Sequence, residues 1–439
     1  MQTSGPLTFG QLSVMRAVQD LPVAQWHESN LRTLWTLPEP VPPARAVAAL
    51  YALRARHVSL RTVYDLGDPA VPRQSVRDEV EPSIEVVAAD GTDEAELRTM
   101  LAASAARPFD LSSECAWRAV VLTRDGLAER VALVNHHIVA DGSAKQILWQ
   151  DLLAALREPG PAAVEHPPDL LTAMAREQRS EGFRARLRSA ERHWEKTLAA
   201  SVAGGLPPRP SGGAPPEEEV FVARLLSRRS RAAAERAARR GGVSVFALLL
   251  AAYATAVAEV QGVRSIPMRM VSSNRHGNPW TGHVTSMNQW VPTHVDVPAG
   301  GTVAELARRL GPRSLQAFRN GVFDLDAVTR LCARHPAAVA SHDEVWSFNL
   351  IVQGVSGDPG SFEPFEVTEE DDGLVAYEPA FLTLGPRFYL RVMDDGKGAW
   401  ALRLRARGVP RDTAGAVLRT VHETLLAEGC LPESPGRSR

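Results

Sequence analysis

The sequence predicts an α/β (α+β) protein built as two lobes. Three observations carry that expectation. The chain has 439 residues, more than one ordinary domain. Strand-like and helix-like periodicities are interleaved on both sides of a central break. The break, Ser201 to Glu219 (SVAGGLPPRPSGGAPPEEE), is dominated by Gly, Pro and Ser, so neither helix nor strand continues through it. The expected organisation is a first lobe at 1–200, a linker at 201–219 and a second lobe at 220–439.

In the first half, Val47 to His57 reads as a helix, Ser83 to Ala88 as a strand and Asp93 to Ala106 as a helix. Arg118 to Arg124 and Glu129 to Ile138 read as a strand pair, followed by a helix over Ala144 to Leu156. In the second half, helices are expected at Ser230 to Arg240 and Val245 to Glu259. Strands follow at Ile266 to Ser272, Val291 to Val297, Val345 to Val352, Arg387 to Met393 and Ala399 to Arg405, with a closing helix at Thr413 to Ala427. The run Val243 to Val260 (VSVFALLLAAYATAVAEV) imitates a membrane span. It is Ala-rich, short for a bilayer and carries Glu259, and Gly241, Gly242 and Ser244 mark a helix start. A buried core helix is expected there, and no membrane association.

Composition narrows the function classes. Lys plus Arg number 49 and Asp plus Glu 51, a formal net charge of -2, so the chain lacks the basic excess of a nucleic-acid binder. Its three cysteines are scattered and form no CxxC pair, which argues against a zinc site or a disulfide scaffold and fits a reducing cytoplasm. The opening MQTSGPLTFGQLSVMRAVQD has no export-signal pattern.

The chemistry concentrates in Val131 to Gly142, VALVNHHIVADG. Side chains alternate along a strand, so His136 and His137 should face opposite ways, one into a cleft and one into the structure. An imidazole there can accept a proton near neutral pH. Asp141 can orient that ring, or can pair with an arginine elsewhere and hold the loop. Gly142 tolerates unusual backbone angles, and its NH can face a developing oxyanion. No Ser or Cys nucleophile lies in a recognisable elbow, and no metal cluster or phosphate loop is present. The basic run Arg228 to Arg240 (RRSRAAAERAARR) reads first as the solvated face of a helix and second as a dock for an acidic carrier protein. Trp280, Trp290 and Trp346 are candidates for a tunnel lining, with core packing the default.

The spacing His-His-x-x-x-Asp-Gly resembles the active-site motif of condensation domains of nonribosomal peptide synthetases, within the chloramphenicol acetyltransferase-like acyltransferase superfamily. Other segments fit in order: Arg56 to Tyr64 (RHVSLRTVY), Pro108 to Leu111 (PFDL) followed by Trp117 and Arg118, His193-Trp194, the apolar helix, Asn274-Arg275, and the Gly282 to Pro292 loop. The resemblance spans about Leu7 to Leu425.

The resemblance implies two lobes in a V around a central tunnel. It implies His137 and Gly142 as the catalytic positions, His136 as a shaping residue, and a buried Asp141–Arg275 salt bridge tying the lobes together. It places Ser143, Asn288 and Asn349 along the tunnel. The implied reaction joins an acyl group, held as a thioester on the phosphopantetheine arm of an acyl or peptidyl carrier protein, to an amine or alcohol. The acceptor is a small molecule or a second carrier-bound group, and no bound cofactor is implied. Lacking adenylation and carrier segments, the chain reads as a free-standing enzyme. The alternatives are an acyl-coenzyme A-dependent acyltransferase and a non-catalytic recruitment module. Departures from the family pattern include Val58 in place of Glu, Ser143 in place of an aromatic residue, and GHVTSMNQWVP in place of GxFVNTxP.

Overall fold

Capping residues set many of the element boundaries. Thr8, Asp93 and Thr302 each form a full capping box with the Gln or Glu three positions on, and Ser227 and Ser244 cap the first two helices of the second half. The computed structural model describes residues 4–19, 21–158, 169–203, 219–277, 279–336, 346–351, 367–368, 370–380, 385–394 and 397–431. Most of the expected linker lies outside the described residues, as do Val345 and Val352.

Two compact units form. The first contains the described chain up to Arg186 together with Ser273–Gln289. Its elements run β1 (Ser4–Pro6), α1 (Phe9–Val18), β2 (Asn30–Val41), α2 (Pro43–Arg56), β3 (Thr62–Asp65), β4 (Arg73–Val76), β5 (Ser83–Ala88), α3 (Glu94–Ala106), β6 (Trp117–Arg124), β7 (Leu127–His136), α4 (Gly142–Arg157) and α5 (Leu170–Glu177). The chain passes to the second unit early in α6 (Arg184–Ala203). There follow β8 (Val220–Ser227), α7 (Arg228–Gly241), α8 (Val245–Gln261), β9 (Ser265–Ser272), β10 (Gln289–Asp296), α9 (Val303–Arg319), α10 (Leu325–Cys332), β11 (Trp346–Ile351), β12 (Val375–Pro379), β13 (Phe388–Asp394), β14 (Trp400–Arg407) and α11 (Arg411–Cys430).

The units differ from the expected division in two ways. The boundary falls at Arg186 rather than 200, because α6 packs Ala190, Trp194 and Leu198 into the second unit's core. Residues Ser273–Gln289 belong to the first unit although they lie deep in the second half of the chain.

The first unit holds a four-stranded sheet, β2-β7-β6-β5, antiparallel except for β5 against β6. A three-stranded sheet, β1-β4-β3, lies in the same unit. The segment RHVSLRTVY serves packing: His57, 1% exposed, bonds Asp151 of α4 at 2.9 Å, and Arg56 reaches the same carboxylate at 3.0 Å. PFDL does likewise, with Arg118 over the buried Phe109 ring at 3.9 Å.

The second unit carries a seven-stranded sheet, β10-β9-β11-β13-β14-β8-β12. Its core face meets α8, whose residues from Ala247 to Val257 are fully buried except Thr255. The membrane-like run is therefore the core helix, and Gly262 closes it in the left-handed conformation. Helix α9 runs through Pro312. A Cβ at Gly311 would already touch Ala247 of α8, so the glycine allows close helix contact.

Candidate active site

Strand β7 delivers the motif. Val131 to Val134 are buried, and His136 pairs with Asn30 of β2 and donates its NH to Ala116 O at 2.9 Å. The strand stops at His136 rather than at Ile138. Asn135 explains this: its side-chain amide donates to the carbonyls of His136 (2.9 Å) and Ala140 (3.2 Å) and closes a turn. His137 opens that turn, with its NH on Ser29 O at 2.7 Å. The two histidines part as alternation requires: His136 is 0% exposed, while His137 is partly exposed.

Their electrostatics diverge as well. Burial, followed by the neighbouring His137 charge, drives the His136 pKa down to about 3, so this ring stays neutral. Its Nδ1 accepts from the Ile138 NH at 3.2 Å, which puts its proton on Nε2. Burial also lowers the His137 pKa; the Asp141 charge opposes this and the Lys145 charge adds to it. A His137 held below its ordinary range is a free base at neutral pH.

Asp141 is occupied elsewhere than on a histidine. As the cap of α4, its Oδ1 accepts from Ala144 NH at 2.8 Å and from Arg275 Nη2 at 2.9 Å. Oδ2 accepts from the backbone NH groups of Met287 (2.9 Å) and Asn288 (3.2 Å). Arg275 in turn donates to the carbonyls of Thr281, His283 and Thr285 at 2.7, 3.0 and 3.2 Å. Asn274, in the left-handed region at φ 55°, starts this loop and bonds Met287 O at 2.8 Å. The ion pair therefore binds the segment Ser273–Gln289 to α4 inside the first unit. The expectation that it ties two lobes together is corrected: Arg275 crosses over in sequence, not between compact units.

That segment and α4 each supply a residue the sequence reading missed. Ser286, fully buried, places its Oγ 3.3 Å from His137 Nδ1 and 3.4 Å from Asn288 Oδ1. Helix α1 backs it closely: a Cβ on Gly10 would fall on the Ser286 carbonyl and Met287 Cα. The signal for Ser286 was its place in the loop before Asn288. Lys145, one helical turn after Asp141, is 3% exposed and donates to Arg32 O at 3.2 Å. A lysine on the buried side of α4 was its signal.

Other expected positions distribute as follows. Gly142 is the first residue of α4 and is exposed; its φ is not positive, so the predicted backbone freedom goes unused. A Cβ there would meet nothing within 4 Å, and its NH has no intrahelical acceptor. Ser143 follows it and is partly exposed. Asn288 stands in the Asp141–Ser286 network. Asn349 lies on β11 in the second unit, donating to Tyr389 Oη at 3.3 Å. Trp346 is core, stacked on Phe388 at 3.9 Å, while Trp290 meets Tyr389 edge-on at 5.1 Å. Several arginines of α7 are engaged within the unit: Arg229 pairs with Asp372, Arg231 with Glu235 and Asp394, and Arg240 with Glu428. The solvated, structural reading of RRSRAAAERAARR fits these pairs.

The family model for the condensation domain matches residues 5–371. This chain belongs to that family. Enniatin synthase of Fusarium equiseti is 30% identical over 179 residues, 39% of this chain and 6% of that protein, so the chain spans a small part of this relative. Among solved structures, the condensation domain in a study of chain release from the enacyloxin polyketide synthase aligns over 99% of this chain and 84% of its own, with a TM-score of 0.76 and 20% identity. The SgcC5 protein of Streptomyces globisporus, in complex with a naphthyl ethanediol and sucrose, aligns over 98% of this chain and all of its own, with a TM-score of 0.72 and 20% identity. These likenesses establish the condensation-domain fold. Among the described residues, no single helix is long and apolar enough to cross a membrane.

Proposed function

We propose that this condensation domain is an acyltransferase that acts as a free-standing enzyme, joining a carrier-bound acyl thioester to an amine or alcohol. The carrying observation is His137: partly exposed at the end of a buried strand, with Nδ1 facing Ser286 Oγ at 3.3 Å. If Ser286 donates to Asn288 Oδ1, its oxygen accepts from His137 Nδ1–H. The lone pair is then on Nε2, ready to act as a base.

In this mechanism the acceptor nitrogen or oxygen attacks the thioester carbonyl as His137 Nε2 takes its proton. The carbonyl electron pair becomes an oxyanion, near which the exposed Gly142 NH at the N-terminus of α4 supplies a donor. Collapse breaks the carbon–sulfur bond, and the imidazolium returns the proton to the leaving thiolate. The products are an amide or ester and the free phosphopantetheine thiol. Asp141 and Arg275 hold the surrounding loop. The diol ligand of SgcC5 is consistent with an alcohol acceptor.

The test is mass spectrometry of an acyl-loaded carrier protein incubated with the chain and a panel of amines and alcohols. The expected result is a product of acyl plus acceptor with release of the free thiol arm. Transfer only from acyl-coenzyme A would replace the donor assignment, and no transfer from either donor would overturn the proposal.

A further inference from the structure

The second unit's sheet presents an arginine row on the face opposite its apolar core. The register aligns Asn349 with Arg391, Arg391 with Arg403, and Arg403 with Arg224 across four adjacent strands. Their neighbours along each strand, such as Leu390, Leu404 and Ala223, point into the core. Adjacent strands lie about 4.8 Å apart, so like charges in such a row repel unless something neutralises them.

Neutralisation is uneven. Glu378 of β12 bonds both Arg224 Nε and Arg403 Nη2. Among the described residues no carboxylate pairs with Arg391. Its guanidinium lies 5.4 Å from the Tyr389 ring, and its Nε is buried without a hydrogen-bond partner. The side chain as a whole remains partly exposed. Tyr389 in turn accepts from Asn349 and packs against Trp290. Burial lowers the Arg391 pKa; Tyr389 opposes this and the neighbouring Arg403 charge adds to it.

We propose that Arg391, flanked by Asn349 and Tyr389, is a subsite for an oxyanion on a ligand. A guanidinium presents a planar fork that fits a carboxylate in two parallel bonds, and Asn349 and Tyr389 add polar groups beside it. The anion has two chemical sources: the carboxylate of a free acceptor acid, or the phosphate of the phosphopantetheine arm. The proposal deepens the condensation reading by naming a substrate feature, and rests on that reading only for which molecule carries the anion.

Binding is measured by calorimetry on the full chain with benzoate, inorganic phosphate and 4′-phosphopantetheine as probes. Each is titrated into the parent, Arg391→Leu and Arg391→Lys. The expected result is saturable binding to the parent, weakened at least about tenfold in Arg391→Leu. Arg391→Lys keeps the charge without the fork and should weaken benzoate more than phosphate, so it also serves if the leucine variant does not fold. Tightest binding of benzoate assigns a carboxylate; tightest binding of phosphopantetheine assigns the arm. No saturable binding by any probe, or equal affinities in parent and folded variants, overturns the subsite. The readout needs no turnover: anion binding by a chain that transfers no acyl group would remove the condensation reading and leave the subsite standing.

Discussion

Two charge clusters among the described residues differ in how their carboxylates are shared. Around Asp141 each carboxylate oxygen has at least two donors, and Arg275 is spread over one carboxylate oxygen and three carbonyls. Around Arg391, one glutamate serves two neighbouring arginines and leaves the third without an acid among the described residues. A buried carboxylate with both oxygens engaged and an arginine beside it is a structural clamp, since removing either partner strands the other. A buried charge with bonds unmade costs stability and is tolerated where a ligand completes it. His137 differs from both: a neutral, partly exposed ring whose Nδ1 faces Ser286.

Substitutions at four positions probe that contrast. The largest effect is expected at His137. Changing it to Ala should lower acyl transfer about 10²–10⁴-fold with an unchanged melting temperature. The parent's acid limb should fall below pH 6.5, because burial depresses the pKa of the working imidazole. Unchanged turnover in the variant would remove the base from the mechanism.

Asp141→Asn should chiefly cost stability, about 3–5 kcal/mol by denaturant unfolding, since Arg275 and two backbone NH groups lose their charged partner. A melt indistinguishable from the parent would show that the clamp is not one.

His136 gives a pH-dependent effect. Its folded pKa of about 3 lies below the ordinary 6.5, so below 6.5 the unfolded chain binds the proton and the folded one does not. The stabilisation is complete above 6.5 and is lost as pH falls toward 3, on the order of 3–5 kcal/mol in all. His136→Asn, which keeps an acceptor for the Ile138 NH, should flatten the stability profile between pH 6.5 and 4. An unchanged slope would place the acid sensitivity elsewhere.

The smallest effect is at Ser286. Ser286→Ala removes one hydrogen bond to His137, worth about 1 kcal/mol, or roughly fivefold in turnover, and Ser286→Thr should restore it. Nitrogen-15 shifts of the His137 ring should show the Nδ1–H form in the parent and a mixture in the Ala variant. The same tautomer in both would free Ser286 of any positioning role.

Much of this was legible in the chain. Period and caps placed α8, α7 and β5 within a residue or two of their observed ends, because those signals act over three or four residues. The segment Asn30–Val41 went unread as a strand: Pro38 and Pro40 interrupt its pattern, and only pairing with β7 holds it. The histidine motif could be read because strand alternation is local, and so could the value of an arginine near Asp141.

The sequence by itself determined which chemistry is on offer: adjacent histidines at a strand end, an aspartate at a helix start, and a core helix too short and alanine-rich to be a membrane span. Tertiary structure alone decided who faces whom. It brought Ser286 to His137 across 149 residues and set Arg391 in register with Arg403, whose glutamate Glu378 is shared with Arg224. Local periodicity fixes the side of an element on which a residue lies, but partners distant in the chain are chosen by how whole elements pack.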